Sequence, residues 1–156
     1  MPIGARKQDR SIETTPARSA LMKRVRRSGT NAELRVRRLL TDLGARYRLN
    51  TRGLPGSPDL ANRTRRKAVF VHGCFWHGHS SCGRGRIPKA NRNFWTEKLA
   101  KNVERDEQKI VALQEQGYDV LVVWECELRD ESTLIQRLRA FWFDDDVRAS
   151  ATGTEA

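Results

Sequence analysis

The chain has 156 residues, one domain's worth, with 30 Lys and Arg against 19 Asp and Glu and a formal net charge of +11, enough sequence to bury a core without metal or disulfide help. That charge, with a pI near 10.4, favours a polyanionic partner, nucleic acid first, over the plain alternative of a generic basic protein of the ribosomal kind. No apolar run is long enough for a bilayer span or a signal-peptide core, which predicts a soluble, intracellular protein without a membrane partner.

Residues 1–30 carry eight Lys/Arg and only Asp9 and Glu13 as acids, mixed with Pro, Ser, Thr and Gly. This reads as a flexible basic arm over 1–17, able to add salt-sensitive phosphate contacts on DNA, with Met22, Val25 and the Lys23-Arg24-Arg26-Arg27 cluster more structured. A single domain is expected over 18–143, and Asp144-Asp145-Asp146 opens a disordered tail over 144–156. Ala32, Val36, Leu39, Leu40 and Leu43 recur at helical spacing and predict a helix over about 31–43, ended by Gly44. Thr30 and Glu33 form a capping box at its start, each satisfying the other's free backbone amide.

After a strand near 45–50, Pro58 fixes the turn Leu54 to Leu60, which delivers Asp59 into a new strand. The apolar run Ala68-Val69-Phe70-Val71 is the next strand, and the basic turn Arg63 to Lys67 makes the two a hairpin that would hold Asp59 beside His72. A basic loop over 83–93 precedes a helix of about 94–116, with Trp95, Leu99, Val103, Asp106, Ile110 and Leu113 along one side and Gly117 as its cap. Tyr118 to Trp124 reads as a strand buried on both faces. A last helix over 131–143 turns Leu134, Leu138, Phe141 and Trp142 inward. The order predicts an α/β fold with a central mixed sheet flanked by helices.

All three histidines and two of the three cysteines lie between His72 and Cys82. An odd cysteine count in a reducing compartment suits metal ligands or buried thiols better than disulfides. Cys74, His79 and Cys82 have the compact spacing C-x4-H-x2-C, and Cys126 completes a tetrahedral Cys3His set; such a closed site is structural zinc. Two free thiols and an incidental third are the alternative. His72 and His77 fall outside this set, on a glycine-containing loop near Asp59. An acid for Mg2+ and imidazoles to move protons are the parts of metal-assisted phosphodiester hydrolysis. Phe75 and Trp76 between them are either core plugs or a wedge.

Pro55-Gly56-Ser57-Pro58-Asp59, Val71-His72-Gly73-Cys74-Phe75-Trp76-His77, Phe94-Trp95, Lys101-Asn102-Val103-Glu104-Arg105-Asp106 and Val122-Val123-Trp124-Glu125-Cys126 together resemble the very short patch repair endonucleases, from about Arg18 to Phe143. The resemblance implies a restriction-endonuclease-like fold and a Mg2+-dependent nick on the 5′ side of the thymine in a T:G mismatch. It implies Asp59 and the Val71 backbone carbonyl as Mg2+ ligands, His77 as activator of water, and His72 at the phosphate or leaving group. The carboxylate and lysine that commonly follow the acid in restriction endonucleases are here Phe70 and His72. Glu33 matches an acid near the site, Asp106 would orient a histidine, and Phe75, Trp76 and Trp95 match aromatics that wedge into the base stack, whereas Trp124 and Trp142 read as core. Ser80-Ser81 makes the ligand spacing one residue longer than is frequent in the family, and Val71 stands where Thr is frequent.

The partner so implied is double-stranded DNA carrying a T:G mismatch, with mismatch-repair proteins and a repair polymerase following, and the enzyme a monomer in a bacterial cytoplasm, associated with the nucleoid. Two other classes share parts of the pattern. A restriction-type or general repair nuclease would keep Asp59 and the charge without a wedge, and a zinc-stabilised DNA-binding module would tolerate loss of Asp59 and His77.

Overall fold

The computed structural model describes residues 15–25 and 28–144. The basic arm before Thr15, and the tail after Asp144, lie outside the described residues. Helix α1 spans Pro16–Lys23, capped by Thr15, so the expected boundary between 17 and 18 falls inside a helix. Helix α2 spans Asn31–Asp42, followed by strands β1 (Arg48–Leu49), β2 (Leu60–Asn62) and β3 (Lys67–His72), helix α3 (Arg92–Glu115), strand β4 (Asp119–Trp124) and helix α4 (Glu131–Phe143). The sheet order is β1-β2-β3-β4, antiparallel through β3 and parallel between β3 and β4. It is mixed because a tight turn joins β2 to β3, whereas α3 carries the chain back for the parallel step. No helix among the described residues is long and apolar enough to cross a membrane.

The helix ends are set by local chemistry. Gly44 (φ +80°) and Gly117 (φ +80°) take the left-handed conformation just past α2 and α3. Behind each, two amides bond back to the last turn: Gly44 to Thr41 and Ala45 to Leu40, Gly117 to Gln114 and Tyr118 to Leu113. A side chain at either glycine would strain that geometry.

One face of the sheet packs Val36, Leu39 and Leu40 of α2 and Leu134, Leu138 and Trp142 of α4 against Leu60, Val69, Val71 and Val123. The other packs Ala68 and Phe70 against Leu113 and Tyr118. β3 lies between two strands and under both layers, so all six of its residues are buried. β4 was expected to be buried on both faces, but it is the edge strand, and only Val123 is fully buried.

Candidate active site

Asp59 leaves the turn before β2 and accepts the Val71 amide at 2.7 Å. The hairpin therefore places this acid beside Val71, one residue short of His72. Burial, augmented by the charge of Glu33, pushes the Asp59 carboxyl up to about 6, although the Val71 amide, Arg37 and His77 pull the other way. Glu33 is itself buried at 3% exposure, with Arg37 at 3.6 Å. The capping box differs from the expected reciprocal form: Thr30 Oγ1 accepts the Glu33 amide, but the Glu33 carboxylate takes the Gly29 amide at 2.7 Å and the Thr30 hydroxyl at 3.3 Å.

Where β3 ends, the chain folds back so that the His77 ring lies flat on that of His72, centroids 3.8 Å apart and planes 6° from parallel. Asp106, one turn of α3 from Asn102, meets His77 Nδ1 at 2.5 Å and Lys109 Nζ at 3.4 Å. His72 is 6% exposed; burial, with the charge of His77, lowers it to about 4, so it is neutral at pH 7. Burial works against ionised Asp106, but the His77 hydrogen bond and nearby positive charge outweigh it and hold this carboxyl below its ordinary value. One atom each of His72, His77 and Asp106 lies within 4.8 Å of the others. The three make a proton-handling cluster with one nitrogen of His77 taken up by Asp106. It borders a cleft of about 920 Å³ whose walls come from α1, the start of α2 and the basic face of α3, with Lys98, Arg105 and Lys109.

Cys74, His79, Cys82 and Cys126 offer ligand atoms all within 4.8 Å of one another, and Cys126 Sγ stands 3.5 Å from His79 Nδ1. Ligands about 2.0–2.3 Å from a shared tetrahedral ion would be about 3.4–3.8 Å apart, so the donor set and spacing fit a four-coordinate metal. Ser80 and Ser81, between His79 and Cys82, are both exposed.

The aromatic residues do not stand free. Phe75, Trp76 and Trp95 meet edge to face at 5.1–6.0 Å, Phe94 joins Trp95 at 5.3 Å, and the Lys98 ammonium lies 5.6–5.9 Å from three of the rings. Trp95 is buried at 5% exposure and forms the floor of the cluster, while Phe75 and Trp76 are half-buried above it. Trp142 is core as expected. Trp124 is not: it is half-buried, flat on His79 at 4.2 Å and edge-on to His72 at 5.3 Å.

Sequence reading missed three supports of this region. Asn102 Nδ2 donates to the Trp76 carbonyl at 2.9 Å. Gly85 lies so close to His79 that a Cβ there would stand 1.9 Å from the His79 carbonyl oxygen. Trp124 bridges the two histidine sites. Asn102 and Trp124, each inside a recognisable motif, carried a signal that could have drawn attention to them; Gly85 did not.

A half-buried acid at the start of β2, a histidine pair backed by a second acid and a basic cleft are parts suited to phosphodiester hydrolysis. The sequence model of the family described as DNA mismatch endonuclease Vsr matches residues 10–84. The type II nicking enzyme V.XorIIP of Xanthomonas oryzae pv. oryzae is 47% identical over 122 residues, covering 78% of this chain and 89% of the relative. The type II nicking enzyme V.NmeAIP of Neisseria meningitidis is 44% identical over 127 residues, covering 81% and 90%. The DNA mismatch endonuclease Vsr of Escherichia coli is 44% identical over 123 residues, covering 79% and 78%. The chain belongs to the Vsr family of DNA mismatch endonucleases.

Proposed function

We propose that this protein nicks one strand of duplex DNA on the 5′ side of the thymine in a T:G mismatch, the product of 5-methylcytosine deamination, and so starts very short patch repair. Family membership carries the coarser part, a DNA endonuclease acting on DNA. The observation that supports the finer part is the meeting of three things at the end of β3: Asp59 against Val71, the stacked His72 and His77 with Asp106 of α3 behind, and the Phe75–Trp76–Trp95 cluster beside them.

Asp106 fixes the His77 ring through Nδ1, which leaves Nε2 as the nitrogen free to accept a proton from attacking water. His72, neutral at working pH, contributes a ring N–H to the phosphate or the departing 3′ oxygen. Asp59 suits a hard divalent cation, because a buried carboxyl pushed up to about 6 is short of positive charge. Val71 donates its amide towards Asp59 and lies past the end of the β2 ladder, which begins at Leu60 opposite Val69. Its carbonyl emerges on the same strand edge, and Asp59 and Val71 would hold Mg2+ there. Bound Mg2+ neutralises phosphate charge and makes water more acidic. The cysteine and histidine set would hold zinc as a closed, structural ion with no position for water. The protein works as a monomer and leaves the nick to a repair polymerase and mismatch-repair partners.

The experiment is nicking of T:G and matched duplexes of one sequence, with Mg2+ and with chelator. Strand-specific nicking of T:G alone, dependent on Mg2+, is expected. Equal cutting of matched duplex would replace this reading with a restriction-type or general nuclease, and binding without cleavage in any divalent ion would replace it with a binding module.

A further inference from the structure

A second basic hollow lies along the β1 edge of the sheet and takes no part in the chemistry above. It has a volume of about 840 Å³ and runs along β1 and the start of the β2–β3 turn, lined by Arg46, Arg48, Arg52 and Arg63 together with Thr51 and Asn62. Among the described residues, no Asp or Glu lines it. Its shape follows from the register. Arg48 pairs with Ala61 across the β1–β2 ladder, and a methyl group opposite a long side chain leaves open space on that face. β1 has only two residues and is an edge; Arg46, Arg48, Arg52 and Arg63 are all exposed, and the Arg63 guanidinium donates to the Arg52 carbonyl at 3.2 Å.

Its position relative to Asp59 is fixed by backbone bonds. Asn50 donates to the Asp59 carbonyl at 3.1 Å and Thr51 to the Pro58 carbonyl at 3.3 Å. The inner end of the hollow is therefore one strand spacing, about 4.8 Å, from the chain segment that carries the catalytic acid. Thr51 is 7% exposed, and its hydroxyl has no hydrogen-bond partner. The active-site cleft has its own cations, Lys98, Arg105 and Lys109, none of which lines this hollow.

We propose that this arginine hollow is a second phosphate-binding site, which holds the sugar-phosphate backbone of the same duplex beyond the nicked position. The inference rests on the DNA-nicking reading above and adds where the flanking duplex lies. A duplex is rigid over this distance, so once its scissile phosphate is at Asp59 its backbone must pass along neighbouring surface. Arg46, Arg48 and Arg52, with no acid in the lining, offer planar, bidentate donors to phosphate oxygens, and Arg63 adds charge and its remaining N–H groups. They contact no base edge, so they supply affinity and orientation without sequence or mismatch preference.

The test uses the full chain and the variants Arg48→Gln/Arg52→Gln and Arg46→Gln/Arg48→Gln/Arg52→Gln, with Arg48→Lys/Arg52→Lys as the charge-keeping pair. Binding of T:G and matched duplexes is measured across a salt series, with thermal unfolding as the check on folding. The triple variant should lose roughly tenfold or more in affinity for both duplexes by the same factor, and the slope of log K against log salt should become about 2–3 shallower. The lysine pair should keep most of the slope. Shortening the duplex on one flank, and not on the other, should erase the difference between wild type and variants. Unchanged affinity and slope in a folded triple variant would overturn the proposal, as would loss confined to the T:G duplex. Loss of polyglutamate binding with DNA binding intact would overturn it in favour of an acidic protein partner. Failure of the wild-type protein to nick or prefer T:G would instead strike the functional reading and leave the salt-slope comparison on matched duplex standing.

Discussion

The indole of Trp124 lies flat on the imidazole of His79, with ring centroids 4.2 Å apart and planes 7° from parallel. The same indole meets His72 edge-on at 5.3 Å, and His72 lies flat on His77 at 3.8 Å. Four rings thus run without a break from the cysteine-rich loop to the proton-handling pair. Trp124→Leu should leave the four sulfur and nitrogen ligands in place but free His72 to tilt. Single-turnover nicking is expected to fall roughly tenfold to a hundredfold, since small misplacement of reacting groups has effects of that size. Metal analysis on the same protein should give unchanged occupancy; an unchanged rate would show that His72 is held by other contacts.

In the proposed reaction Asp59, His77 and Asp106 divide the chemistry. Asp59→Ala and His77→Ala should abolish nicking while T:G duplex is still bound, because the basic surfaces are untouched. Asp106→Asn keeps the size of the side chain but loses the charge behind His77, and a fall of roughly 10²–10⁴-fold is expected. Filter binding beside single-turnover rates separates the cases. Loss of binding in parallel with cleavage would mean that these residues shape the DNA surface.

The metal loop should contribute folding energy. Cys126→Ala should lose one equivalent of zinc and melt at a clearly lower temperature, because metal binding energy in such a site is also folding energy. Gly85→Ala should resemble it without removing a ligand. Its Cβ would meet the His79 backbone at 1.9 Å, so the loop must shift, at about 1–3 kcal/mol if overpacking is a guide. Full stability in a chelated wild-type preparation would exclude this role for the metal.

Burial separates the aromatic residues. Trp95→Ala removes a buried floor and should cost about 3–5 kcal/mol of stability. Phe75→Ala/Trp76→Ala removes half-buried rings and should chiefly reduce the preference for T:G over matched duplex, where a wedge enters most readily. Thermal unfolding and nicking selectivity, measured on both proteins, should therefore change in opposite proportions.

Two buried groups give opposing pH dependence to the metal-free protein. Asp59 rises from 3.8 to about 6 on folding, so it lowers stability as pH increases through that window and holds a constant penalty above it. His72 falls from 6.5 to about 4, so it lowers stability as pH decreases through nearly the same window. The two slopes offset each other in wild type. Asp59→Asn should be more stable at pH 7, by on the order of 2–3 kcal/mol, and should then lose stability from pH 6.5 towards 4. Denaturant titrations at several pH values check this; a mutant that follows the wild-type curve at constant offset would contradict it.

Much of this arrangement was legible because its signals are local. Apolar periodicity and Gly44 and Gly117 mark α2 and α3, and the turn around Arg63 to Lys67 marks the hairpin that carries Asp59. The cysteine and histidine spacing anticipated which four residues would converge. What was not legible depends on neighbours far along the chain. Tyr118 to Trp124 reads as a central strand from its residues, but strand order makes it an edge. Trp124 departs from its expected core environment because a tryptophan's composition is the same in a floor, a bridge or a core. Gly85 looked like an ordinary loop glycine, since only the folded loop brings His79 against it.

The four candidate metal-ligand residues come from two places: three from the loop after β3, and Cys126 from just past β4. The chain between them contains the whole of α3 and β4, so the site cannot be complete until the parallel strand has docked. Metal capture at this set would therefore be a late event in folding, closing a large loop whose ends are already held together by the sheet. The entropy of that closure is met by strand pairing rather than by the ion. Refolding with chelator present should accordingly reach a species with its sheet formed and its thiols still reactive, and adding metal should convert that species in one fast step without re-forming the sheet.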